Sequence, residues 1–173
     1  RHPTEDDWVA LASFVNSGGG LAVFLGMRNG TENPVAASYA NPTADSILPA
    51  RLLADLSFSP PESLDVRKTV HPILQKIEGV RGLAELSGVP VSRYWRVEPS
   101  AGSSVIAEYT DARQSPAVLE RAVGRGRTMM ITTAVDLRGP NDTWSGLPRV
   151  WPFVALVDGM MHYLGGRSAE VFN

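Results

Sequence analysis

Asn16-Ser-Gly-Gly-Gly-Leu-Ala-Val-Phe-Leu-Gly-Met-Arg-Asn-Gly30 decides how the rest of the chain is read. The glycines at 18–20, the apolar run and the glycine at 26 spell a helix end, a buried strand and a sharp turn. Leu21 to Leu25 is wholly apolar, which predicts a strand covered on both faces and central in a parallel sheet. Past the carboxyl end of such a strand an α/β enzyme carries its nucleophile or a ligand-binding loop. Here that position holds Phe24 or Leu25, and Gly26, Met27 and Arg28 follow as candidate pocket residues.

Upstream, Thr4 before Glu5, Asp6 and Asp7 is an N-cap with acids in the first turn, where the helix dipole favours negative charge. Trp8, Leu11, Ala12 and Val15 recur at helical spacing, so a helix spans Glu5 to Asn16. A helix feeding a two-sided strand means α/β packing. Downstream, Gly26 to Thr43 reads as a long surface loop, Ile47 to Leu53 as a short helix, and Leu56 to Ser59 as a short strand ended by Pro60-Pro61. His71 to Leu74 and Gly79 to Leu86 read as helical turns, and Val91 to Val97 as a strand.

Val105 to Tyr109, Ala117 to Val123 and Thr128 to Thr133 form a set of strands. Gly124-Arg-Gly126 supplies positive-φ positions for an antiparallel hairpin between the last two. Asp136 to Pro148 is a second Gly/Pro/Asn loop. Val150, Val154, Val157, Met161 and Leu164 then mark the apolar stripe of a closing helix ended by Gly165-Gly166. The expected result is a mixed sheet with helices on its faces.

With 173 residues, 43% hydrophobic and 20% charged, the chain has material for one domain with a substantial core. A net charge of −2 and a pI near 5.9 leave no basic field for nucleic acid. The absence of cysteine removes disulfides, cysteine zinc sites and thiol catalysis. No apolar run reaches the length of a membrane span. The opening Arg1-His-Pro-Thr, without Met, is expected of a piece excised from a longer polypeptide.

Ala22-Val-Phe-Leu-Gly-Met-Arg28 resembles the strand-turn of class I glutamine amidotransferases, whose pattern runs Gly-Ile-Cys-Leu-Gly-Met-Gln. Ile47-Leu-Pro-Ala-Arg51, His71-Pro-Ile-Leu74, Arg93-Tyr-Trp-Arg96, Gly124-Arg-Gly126 and the segment from Thr133-Ala-Val-Asp136 to Leu147-Pro148 extend the resemblance to a group of amidotransferase-like domains. Those domains occur in large bacterial membrane-anchored proteins with a BatA-type membrane region and often a von Willebrand A-like domain. The resemblance implies a flavodoxin-like three-layer sandwich over residues 1–173, with the strands that precede the elbow missing. It implies a non-catalytic scaffold or binding module whose partner is the rest of the parent polypeptide. The membrane would be reached only through parts outside this chain, and an extracytoplasmic position is compatible with it.

On that match Phe24 stands where the family has its nucleophilic Cys, either as the wall of a ligand pocket or as plain core packing. His71 reads as a remnant of a catalytic His or, better, as a cap of the turn that follows. Three scattered histidines without HxH or HxxxH spacing argue against a dedicated metal site, and no cofactor is expected. No Gly-x-Ser-x-Gly elbow is present, and Gly18-Gly-Gly20 precedes a strand where an anion cradle precedes a helix. Asp136, Asp142 and Trp144 make the second loop a candidate binding surface, the alternative being that Trp144 is buried against the closing helix. A rival reading is a cysteine-independent hydrolase or sugar-related enzyme, similar to the trehalose-utilisation-like branch of the fold. It requires Arg28, His71, Asp136 and Asp142 to converge. A third reading is an assembly module, a homodimer formed through the sheet edge that the missing strands leave open.

Overall fold

The computed structural model describes residues 3–26, 38–66, 70–78, 82–136 and 144–166. The first helix, α1 (Glu5–Asn16), forms as its sequence predicts: Thr4 and Asp7 complete a reciprocal capping box, and Trp8 and Val15 are buried. The strand β1 (Gly20–Phe24) follows. Then come α2 (Pro42–Ile47), β2 (Ala50–Glu62), β3 (Leu64–Asp65), α3 (Pro72–Glu78) and α4 (Leu83–Ser87). Four strands come next, β4 (Val91–Pro99), β5 (Ser103–Tyr109), β6 (Pro116–Val123) and β7 (Gly126–Ile131). A 3-10 turn at Leu147–Arg149 leads into α5 (Trp151–Leu164).

The main sheet has the order β1-β7-β6-β5-β3, parallel between β1 and β7 and antiparallel elsewhere. The expectation of an α/β mixed sheet with helices on its faces is met. The expected central place of Leu21–Leu25 is not: β1 is the terminal strand, bonded to β7 alone among the described strands. Its two-sided apolarity comes from α1 on one face and α5 on the other, each of which touches both β1 and β7. Helices above and below a strand demand apolar side chains on both faces wherever the strand lies laterally.

Two cores result. One lies between the sheet and α3, α4 and α5, where Ile73, Leu74, Ile77, Leu86, Leu156 and Met160 meet Val118, Met129 and Ile131. The other packs Trp8, Val15, Ala44 and Ile47 against Leu119, Val123 and Met130. β4 does not join the main sheet. It pairs with β2 in a separate two-stranded sheet and sends Tyr94 into the first core and Trp95 into the second. The Trp95 N–H donates to the Thr132 carbonyl at 2.8 Å, which fastens this ribbon past the end of β7.

Other expectations shift. No helix forms at Ile47–Leu53: α2 ends at Ile47, because Pro49 forces Leu48 into extended backbone (ψ 145°), and Ala50 starts β2. The short strand expected at Leu56–Ser59 is part of β2, and Pro60-Pro61 fall in a register shift between Ser57 and Glu62, where no ladder donor is required. The predicted hairpin forms over a two-residue turn, with Val123 opposite Gly126. Only Gly124 takes a positive φ (58°). Gly126 is needed for a different reason, since a Cβ there would collide with the carbonyl oxygens of Gly19 and Val15.

The stripe predicted for α5 is rotated. Pro152, Leu156, Gly159, Met160 and Leu164 are buried, whereas Val154 and Met161 are 69% and 62% exposed. This helix is apolar over more of its circumference than one core can cover, so its pattern does not single out a face.

Candidate functional site

Among the described residues, a group of interacting titratable side chains surrounds His71. The backbone of α3 starts at Pro72, and the Ile73 N–H donates to His71 Nδ1 at 3.3 Å, so the imidazole caps its own helix. A nitrogen that accepts carries no proton, so in the neutral ring the proton sits on Nε2. Nε2 lies 3.2 Å from Glu120 Oε1 and donates to it. The ring also packs edge-on against Tyr163 of α5, at 4.8 Å between centroids. Arg127 of β7 places its guanidinium 4.2 Å from the centroid of that tyrosine.

The hydrogen bond from His71 holds the Glu120 carboxyl below its ordinary range, against the desolvation that raises it. The Tyr163 hydroxyl and the charge of Arg127 add to the lowering. Tyr163 is moved the opposite way, first by burial and then by the adjacent carboxylate. Both nitrogens of a 7% exposed imidazole are therefore engaged by the protein itself. The arrangement ties α3, β6, β7 and α5 together and leaves the imidazole no free nitrogen for a substrate proton.

The capping role expected for His71 is present. The acid that sequence reasoning did not find is Glu120, with Arg127 and Tyr163 beside it. One signal was available: Glu120 shares a face of β6 with the buried Val118, and a carboxylate there needs a partner.

The other predicted residues that are described, Phe24, Gly26, Asp136 and Trp144, lie at or past the carboxyl ends of β1 and β7. Phe24 pairs with Ile131 and packs, partly buried, on the first core, which is the packing alternative. Gly26 is next to Ala134, since a Cβ on it would fall 3.4 Å from the Ala134 Cβ, so the chain leaves β1 and β7 side by side. Asp136 is half-buried just beyond. Trp144 is 5% exposed in the second core, and Arg93 lies 4.7 Å over its ring while donating from Nε to Asp55 at 2.8 Å. Trp144 is buried, as the packing alternative has it, but in the second core and not against the closing helix α5, whose buried Leu156, Met160 and Leu164 belong to the first. Its neighbour Ser145 donates to the Ala134 carbonyl at 2.8 Å.

Met27, Arg28 and Asp142 lie outside the described residues. Of the four groups that the enzyme reading needs, the two described do not meet: His71 sits against Glu120, opposite Met129 in mid-sheet, and Asp136 follows the end of β7. Among the described residues no three His, Asp or Glu side chains gather as a metal ion would require. No helix among them is long and apolar enough to cross a membrane.

No protein-family model matches the chain, and no curated protein matches it. Among solved structures it is similar to a cytoplasmic protein of Salmonella typhimurium LT2, with a TM-score of 0.72 and 19% identity over 92% of this chain and 60% of that one. A second cytoplasmic protein of Salmonella typhimurium is similar at a TM-score of 0.70 and 15% identity, over 91% and 60%. The β-galactosidase of Bacillus circulans sp. alkalophilus contains a similar part, at a TM-score of 0.56 and 10% identity, over 94% of this chain and 21% of the enzyme. At these identities the likeness is one of fold. The chain spans 60% of the length of the two Salmonella proteins.

Proposed function

We propose that this chain is a non-catalytic, amidotransferase-like domain with a flavodoxin-like core, serving as a scaffold or binding module within a larger membrane-anchored bacterial protein. The observation that carries the reading is Phe24. At the strand end where the resembling enzymes hold a thiolate, this chain packs an apolar ring on its core. A thiolate nucleophile also needs an oriented base. His71 is the only described histidine that is buried, and both of its nitrogens are engaged elsewhere.

The test is hydrolysis of glutamine and simple amides by the purified chain and by Phe24→Cys. Neither protein should turn over substrate, because the single substitution restores no base and no oxyanion donors. Turnover by the unaltered chain that a point mutation abolishes would overturn the reading in favour of the cysteine-independent enzyme. Turnover by Phe24→Cys alone would mean that the partner groups of the catalytic unit are present.

A further inference from the structure

We draw no further inference here: the strongest candidate, the exposed apolar face that Trp151, Val154 and Met161 present along α5, carries none, because nothing in the structure shows what covers it.

Discussion

His71 Nε2 stands 3.2 Å from Glu120 Oε1, and this bond closes a network that joins the start of α3 to the main sheet and to α5. Its members lie far apart in sequence, so its energy belongs to the tertiary structure alone.

Glu120→Gln should lower stability at neutral pH by about 1.5–3 kcal/mol, the usual range for a hydrogen bond to a charged group. The folded-state pKa of Glu120 is depressed, so its contribution is fully present above the ordinary value of 4.5 and is lost as the pH falls through the depressed one. Urea midpoints from pH 7 down to the acid limit should therefore fall more steeply for the unaltered chain than for the variant. Parallel curves would remove Glu120 from the acid response.

Trp8→Ala should cost about 3–5 kcal/mol. The indole is 1% exposed in the second core and donates from Nε1 to the Ser38 carbonyl at 2.7 Å, so the substitution leaves a cavity and removes one of the donors to that carbonyl, which Asn41 Nδ2 also reaches at 3.1 Å. Denaturant unfolding measures the loss, and a value below about 1 kcal/mol would contradict the packing described.

Trp144→Ala should also act on stability, by about 2–4 kcal/mol, because the ring is buried and lies beneath Arg93. An unchanged melting temperature would restore Trp144 as a surface anchor.

Gly126→Ala and Gly102→Ala should separate two reasons for glycine. At Gly126 the added methyl group strikes backbone carbonyls that cannot move without breaking the β1–β7 pairing, and a loss of more than about 3 kcal/mol is expected. At Gly102 nothing lies within 4 Å, so the positive φ of 77° alone sets a cost of about 1–2 kcal/mol. Thermal melts of the two variants should rank in that order.

Local chemistry made part of this protein legible in its residues. The capping box at Thr4 and Asp7, the Trp8/Val15 face of α1, the apolar run of β1 and the turn at Gly124 each involve groups a few positions apart. Their conformations follow from nearby hydrogen bonds and sterics. The lateral order of the strands was not legible, because an apolar run reports that both faces of β1 are covered and carries no information about its edges. The buried face of α5 was not legible either, since Val154 and Met161 are as apolar as Leu156 and Met160 and only the position of β1 and α3 decides between them. The same holds for His71: its cap on Ile73 is local and was foreseen, whereas Glu120, forty-nine positions away, became its partner only when the sheet brought β6 beneath α3.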